Sequence, residues 1–399
     1  MSFSVLIVDD SHFFRQRIKD IINEHPELNV IGVAEHGLEG VRLAEELDPD
    51  IITMDYEMPY LDGISAVREI MHRKATPIVM FSSMTYEDAR ITLDALDAGA
   101  VDFIPKNFTE VSRDSTALKQ KIHEKLISFA RNSKPSARAS SARTEKSLNT
   151  PSRSSSHDVQ VSRTDSMAAK VAAKEPPIVS RARVLTGGHA VSSSHDKQGH
   201  IDSVVRSSLN FKGKLKLLII GASTGGPVAV AEIITHLPRD FPIPVIVVQH
   251  MPSNFTKAFA ERLNRSSQLY VKEAENGDNL ERGKVVIAPG GKQLMFERGG
   301  KTLKIIQGDD RVNYKPCLDI TFASAANIMG SCVLGVILTG MGADGCEGAR
   351  LLKQRGSFIW GQDKESCVVY GMPAAVAHAG LTDAVYSIKD MATQLINKV

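Results

Sequence analysis

Apolar residues recur along the chain in short runs separated by amphipathic stretches, and this alternation occurs twice. In the first 130 residues the runs are VLIV (5–8), VIGVA (30–34), IITM (51–54), PIVMF (77–81) and VDFI (101–104). Each has the length of a buried strand. Helical spacing of apolar positions falls between them, near 12–24, 38–47, 62–73, 86–98 and 114–130. Five strands alternating with helices predict a parallel, doubly wound, five-stranded sheet of the flavodoxin-like kind. From residue 211 the alternation resumes, with strand-like runs at 215–220, 244–248, 285–288, 333–338 and 357–360. Helical patterns at 227–237, 254–265, 318–329, 345–354 and 372–379 separate them. This predicts a second doubly wound, Rossmann-like α/β domain over 211–399. Within it LMFERGGKTLKII (294–306), with GG at its centre, reads as a β-hairpin on the sheet edge.

Between the two patterns, over 131–210, the periodicity is lost. The stretch NSKPSARASSARTEKSLNTPSRSSS is rich in Ser, Arg, Lys and Pro and lacks aromatic residues. Such a composition buries too little apolar surface to offset chain entropy, so a long disordered linker is expected. The chain of 399 residues therefore divides into 1–130, 131–210 and 211–399.

Composition narrows the function classes. The chain is 42% hydrophobic and 24% charged with a net charge of +2, so no global field points to nucleic acid or a membrane surface. No helix-turn-helix pattern or basic recognition helix follows residue 211. Cys317, Cys332, Cys346 and Cys367 lack metal-ligand spacing and imply no disulfide framework. The N-terminus, MSFSVLIVDD, is neither a signal peptide nor an anchor, and no apolar run is long enough to span a bilayer. A cytoplasmic protein is expected.

Chemistry is concentrated at strand ends. In an open parallel sheet, ligands bind beyond the carboxyl ends of the strands. Asp9 and Asp10 follow the first strand, Asp55 the third, Ser82 ends the fourth and Lys106 follows the fifth. Clustered carboxylates repel unless a cation relieves them, and Mg²⁺, a hard ion that takes one or two carboxylates, suits the set. A hydroxyl and an ammonium beside it suit acyl-phosphate chemistry on a carboxylate. The segments LIVDDS, DYEMPYLDG, FSS and DFIPK resemble the response-regulator receiver family over residues 1–120. That resemblance implies that Asp55 is the phosphoacceptor and that a partner histidine kinase supplies the phosphate. It implies that Asp10, Asp55 and the Glu57 backbone hold Mg²⁺, with Asp9 acting through water. Ser82 and Lys106 would then contact the phosphoryl group, and Phe103 would be the switch aromatic. Asn107 follows Lys106 where the family usually has proline, which departs from the usual cis bond there.

In the second domain, Gly221-Ala-Ser223-Thr-Gly225 fits G-x-S-x-G between a strand and a helix, the context of a nucleophilic serine. A serine needs a base and an orienting acid. His250 ends the next strand, PVIVVQH, and so belongs beside Ser223. The glycine-rich turn after VLGVIL supplies Asp344, whose alternative reading is a helix N-cap. Asp319 and Asp363 are less well placed acids. Gly340 and Gly342 let that turn approach the reaction centre, where an N–H such as that of Met341 can stabilise an oxyanion. A rival reading takes Gly340, Gly342 and Gly345 as G-x-G-x-x-G with Asp363 about 20 residues on, a dinucleotide fingerprint. Asp344 would then set a negative charge beside the pyrophosphate, and the strand is not the first of its domain. A P-loop fits less well still, because no Lys-Ser/Thr follows GASTGG.

The order Ser, His, Asp differs from that of the α/β-hydrolases. IGASTGGP, VVQHMP, AENGD, IAPGG, VILTGMGADGCEGA and VVYGMPAAV closely resemble the chemotaxis protein-glutamate methylesterase (CheB) family over about 216–395. The resemblance implies a Ser223–His250–Asp344 triad, with Thr224 and Met341 shaping the site and its oxyanion hole. It implies hydrolysis of glutamate γ-methyl esters, and deamidation of certain glutamines, on chemoreceptors, with a receiver that restrains the esterase until phosphorylated. No cofactor is expected for the esterase half. The alternatives are a paralogue serving another chemosensory pathway and a catalytically silent adaptor or phosphate sink.

Overall fold

The computed structural model describes residues 2–106, 115–133, 211–309 and 311–399. Asn107, and with it the Lys106–Asn107 bond, lies outside them, as does the expected linker beyond Ser133.

The N-terminal half runs β1 (Phe3–Val8), α1 (His12–Asn23), β2 (Leu28–Ala34), α2 (Gly37–Leu47), β3 (Ile51–Asp55) and α3 (Gly63–Arg73). It continues with β4 (Ile78–Ser82), α4 (Tyr86–Asp97), β5 (Asp102–Pro105) and α5 (Thr116–Ser133). The five strands form one parallel sheet in the order β2-β1-β3-β4-β5. Strands β3 and β4 are buried at every position, which is why they read as unbroken apolar runs. Helix starts are fixed locally: Ser11, Asp62 and Thr85 each accept the N–H three residues on. Successive connections leave β1 in opposite directions, toward β2 and toward β3, so the ends of β1 and β3 flank the crevice of the sheet.

The C-terminal half comprises β6 (Leu217–Ala222), α6 (Gly226–His236), β7 (Val245–Gln249), α7 (Ser253–Ser266), β8 (Tyr270–Glu273) and β9 (Lys284–Ile287). There follow β10 (Lys292–Phe296), β11 (Leu303–Gln307), α8 (Leu318–Met329), β12 (Val333–Ile337) and α9 (Cys346–Gln354). The half ends with β13 (Phe358–Gln362), α10 (Met372–His378), β14 (Ala384–Tyr386) and α11 (Ile388–Lys398). Seven parallel strands lie in the order β14-β13-β12-β6-β7-β9-β8. The sequence pattern does not reveal edge strands β8 and β14, because YVKE and AVY are short and only partly buried. Central β6 has β12 on one side and β7 on the other, so the residues after all three strands converge on one edge.

The hairpin expectation needs one correction. Strands β10 and β11 do pair, with Leu294 opposite Ile305, but they form a separate two-stranded sheet instead of extending the edge. Leu294, Phe296 and Leu303 are buried with Phe322 and Ala325 of α8. Thr321 Oγ1 donates to Leu294 O at 2.9 Å, and Phe296 N donates to Ser324 Oγ at 2.9 Å, so α8 fixes the hairpin.

The two halves pack into one compact unit. Helix α4 lies against α7, and Arg262 of α7 donates to Leu93 O at 2.9 Å and pairs with Asp97. Asn254 Nδ2 donates to Met84 O at 2.6 Å, and Tyr86 hydrogen-bonds Glu261. At the centre the rings of Phe103 and Phe255, both buried, stack 4.4 Å apart at an angle of 6°.

Candidate active site

The first cluster lies at the carboxyl edge of the N-terminal sheet. Asp9, Asp10 and Asp55 each offer an oxygen within 4.8 Å of the others. Lys106 from the end of β5 places Nζ 2.6 Å from Asp55 Oδ2 and 2.7 Å from Asp9 Oδ2. The other oxygen of Asp55 accepts the Tyr56 N–H at 2.7 Å. Burial pushes Asp55 up to about 6, against the pull of Lys106 and with the repulsion of Asp9. Asp9 is raised for the same first reason. One ammonium thus compensates two buried carboxylates only in part. The donor set is all hard oxygen, and a small divalent cation fits it. Glu57 borders the same small cavity of about 190 Å³, together with Asp10, Asp55, Ser82 and Lys106. Ser82 is buried, and its Oγ accepts from Thr92 Oγ1 of α4 at 2.5 Å. Phe103 lies apart from this cluster, in the stack with Phe255.

The second cluster gathers where β6, β7 and β12 end. Ser223 follows β6, and the turn into α6 is made by Gly225, whose φ of +73° is the left-handed conformation that glycine adopts without strain. The Ser223 N–H donates to Thr339 O at 3.1 Å, tying the turn to the strand beside it. Gly340 makes that approach possible, because a Cβ there would lie 2.9 Å from Ser223 Cβ and 2.3 Å from Met372 Sδ. Thr224 is buried, and Thr339 Oγ1 donates to its carbonyl at 2.9 Å. Ser223, Thr224, Met341 and Gly342 border one cavity of about 1110 Å³, while Ser223, Thr224 and His250 border another of about 440 Å³.

Asp344 and His250 form the electrostatic centre. His250 Nε2 lies 2.7 Å from Asp344 Oδ2; Asp344 is buried and the His250 side chain is 9% exposed. Three further donors come from the start of α8. Leu318 N reaches Oδ2 at 2.7 Å, Asp319 N reaches Oδ1 at 3.0 Å and the Cys317 thiol reaches Oδ1 at 3.1 Å. Burial alone would raise Asp344, but the hydrogen bond and charge of His250 and the Asp319 and Leu318 amides hold it below the usual carboxylate range. An ionised Asp344 only accepts, so Nε2 donates to it, and in the neutral imidazole Nδ1 then keeps its lone pair. That Nδ1 is buried and has no partner among the described residues.

Several sequence expectations meet a definite outcome here. The N-cap reading of Asp344 fails, since α9 is capped by Gly345 at φ +96° and Asp344 turns to His250. Asp319 accepts the Gly348 N–H at 2.6 Å and so ties α8 to α9, while Asp363 accepts the Ser366 N–H at 3.0 Å in a local turn. Three residues escaped notice. Cys317 bonds Asp344, Tyr314 stacks on His250 at 4.3 Å and 11°, and Gln293 bonds the segment between them. Their contacts join positions 21 to 64 residues apart, and only the polar side chain of Gln293 inside an apolar hairpin strand hints at them.

Comparison with known proteins fits both clusters. The family model for CheB methylesterase matches residues 218–395, and that for the response regulator receiver domain matches residues 5–115. The chain is 55% identical, over the full length of both proteins, to protein-glutamate methylesterase/protein-glutamine glutaminase 1 of Saccharophagus degradans. It is similar to the crystal structure of the Thermotoga maritima CheB methylesterase catalytic domain, at 44% identity over 46% of this chain and 99% of that one, with a TM-score of 0.45. It is also similar to the receiver domain of a Pseudomonas aeruginosa PAO1 sensor histidine kinase that holds magnesium in its active-site cleft. That match has 27% identity over 30% of this chain and 97% of that one, with a TM-score of 0.26.

The raised Asp55 gives a pH-dependent test of cation binding. Its folded value of about 6 exceeds the unfolded one, so the ionised group weakens the fold, increasingly as pH rises toward and through 6. A divalent cation offsets that penalty. Magnesium therefore raises the thermal midpoint of the N-terminal half at pH 7.5, and the gain shrinks at pH 5. Equal gains at both values, or none, would contradict the assignment.

Proposed function

Because the chain belongs to the protein-glutamate methylesterase/protein-glutamine glutaminase family, a receiver joined to a CheB methylesterase domain, we propose that Ser223 is the nucleophile of its hydrolase activity. The substrates are glutamate γ-methyl esters, and selected glutamines, on chemoreceptor cytoplasmic helices. The receiver spans 1–130, the linker 131–210 and the catalytic domain 211–399. One observation carries the reading: an ionised Asp344 holds His250 through Nε2 and leaves Nδ1 buried and unpartnered, and His250 borders the same cavity as Ser223.

Ser223 Oγ attacks the γ-carbonyl carbon as His250 Nδ1 takes the hydroxyl proton. The carbonyl π-bond opens to an oxyanion, stabilised by backbone N–H groups of the Thr224 and Met341 turns. The oxyanion re-forms the carbonyl, the C–O bond to the methoxy group breaks, and the imidazolium returns its proton to release methanol. Water, deprotonated by the same nitrogen, then attacks the acyl-enzyme and regenerates Ser223 and a free glutamate. For a glutamine the leaving group is ammonia. Asp344 orients the imidazole and stabilises its charged form throughout.

Asp55 accepts a phosphoryl group from a histidine kinase. Asp10, Asp55 and the Glu57 carbonyl would hold magnesium, with Asp9 acting through water. When bound, the ion neutralises charge on the phosphoryl oxygens. Lys106 and Ser82 hold the transferred group. Lys106 already touches Asp55, while Ser82, which accepts from Thr92 of α4, has to turn its own proton from the Ser83 and Asp88 carbonyls to do so. Helix α4 also carries the carbonyl and carboxylate that hold Arg262, so a change at Ser82 bears on the contact between halves. Phe103, Pro105 and Lys125 border the cavity that holds Ser223 and His250, so the unphosphorylated receiver restricts access to it. Among the described residues no helix is long and apolar enough to cross a membrane, and the kinase and receptor helices place the enzyme in the cytoplasm.

Ser223→Ala is expected to lower methanol release from methylated receptor membranes by on the order of 10³-fold or more; activity within tenfold of wild type would remove the assignment. A phosphodonor is expected to stimulate wild type and leave Asp55→Asn at its basal rate. In that Asp55→Asn background Arg262→Ala should raise the basal rate several-fold, since losing about 1–2 kcal/mol of contact enriches the open state. Stimulation of Asp55→Asn equal to wild type, or an unchanged rate on removing Arg262, would contradict the restraint.

A further inference from the structure

Gln293 lies on β10, in the hairpin that α8 holds away from the main sheet, and is 2% exposed. A buried amide is costly unless each of its groups finds a partner. Its Nε2 donates to Tyr314 O at 2.8 Å, and its Oε1 accepts the Cys317 N–H at 2.8 Å. A carbonyl can only accept and an N–H can only donate, so these two partners fix which way the amide faces. The side chain therefore bridges both ends of the four-residue segment Tyr314–Cys317, which belongs to no helix until its last residue caps α8. Gly291 N adds a bond to Lys315 O at 3.0 Å from the same hairpin.

Each end of that segment touches one member of the His250–Asp344 pair. The Tyr314 ring lies flat on the imidazole, 4.3 Å away at 11°. The Cys317 thiol bonds Asp344 Oδ1 at 3.1 Å, and burial together with the Asp344 charge pushes it up to about 12, so it remains protonated and donating. The next two backbone N–H groups bond the same carboxylate. We propose that Gln293 is a positioning residue for the hydrolysis, clamping Tyr314–Cys317 so that Tyr314 holds the plane of His250 while Cys317 and the start of α8 hold Asp344. The imidazole is thereby confined on its face by a ring and at Nε2 by a fixed carboxylate. Loss of the clamp misaligns Nδ1, while Gln293 itself borders neither cavity that holds Ser223.

The inference rests on the Ser223–His250–Asp344 reading, and the assay separates the two. Full-length wild type, Ser223→Ala, Gln293→Met, the double variant Tyr314→Ala/Cys317→Ala and the triple variant are compared on methylated receptor membranes, with thermal midpoints recorded. Methionine keeps the length of glutamine and removes both hydrogen bonds. Gln293→Met is expected to lower kcat by about tenfold or more with KM within about twofold, since positioning acts on the transition state. The double variant is expected to lose a similar factor. Adding Gln293→Met to it should cost less than about twofold more, because the clamp then has nothing to position. An unchanged kcat in Gln293→Met, or a loss that multiplies in full in the triple variant, overturns the proposal. If Gln293→Met does not fold, the double variant decides, and wild-type kcat there overturns it. An active Ser223→Ala would instead overturn the triad and leave the clamp's effect on kcat to be read separately.

Discussion

A carboxylate taken out of water must be repaid in hydrogen bonds, and the catalytic half is arranged around one such repayment. Asp344 is almost fully buried, yet it receives His250, two backbone amides and a thiol, three of these four donors coming from the start of α8. A helix N-terminus supplies oriented N–H groups and partial positive charge at no reorganisation cost, which keeps the acid ionised. Ionisation fixes the imidazole proton on Nε2, and that leaves Nδ1 as the basic atom. On the proposed triad, the placement of α8, and of the hairpin it holds, therefore decides whether Ser223 has a working base.

The N-terminal half presents the opposite electrostatic condition. There the acids are undercompensated: two buried carboxylates share Lys106, and burial raises Asp55 to about 6. One site is satisfied by its own chain and the other is left short of positive charge, which suits a centre that takes up a cation and a phosphoryl group. The two are mechanically joined through α4 and β5. Ser82 touches Thr92, the following residue's carbonyl holds Arg262, and Phe103 stacks on Phe255 two residues after the start of α7. A local change at the first site thus reaches packing beside the second through a few discrete contacts, which suits a two-state response.

Much of this was legible in the sequence, because parallel sheets concentrate chemistry at strand ends. That rule singles out Asp9, Asp55, Ser82, Lys106, Ser223 and His250, and the sheets put each at or just after the carboxyl end of a strand. Asp344 was harder, since Asp319 and Asp363 compete and an acid ahead of a helix reads equally as a cap. Only the αL conformation of Gly345 shows that the cap is elsewhere. The strands YVKE and AVY were missed because short edge strands carry little apolar signal. Gln293, Tyr314 and Cys317 were missed for a different reason. Their roles arise from contacts across loops, and no periodicity encodes where a buried amide finds its two partners.

The proposed triad has Asp344 act through His250 on Ser223. It is tested most directly by the rate at which an acylating ester probe labels Ser223 in wild type and in Asp344→Asn. An amide in place of the carboxylate can donate to the imidazole and favours the wrong tautomer, so labelling should fall by on the order of 10³-fold or more with the fold intact. Labelling of Asp344→Asn within tenfold of wild type would contradict the account.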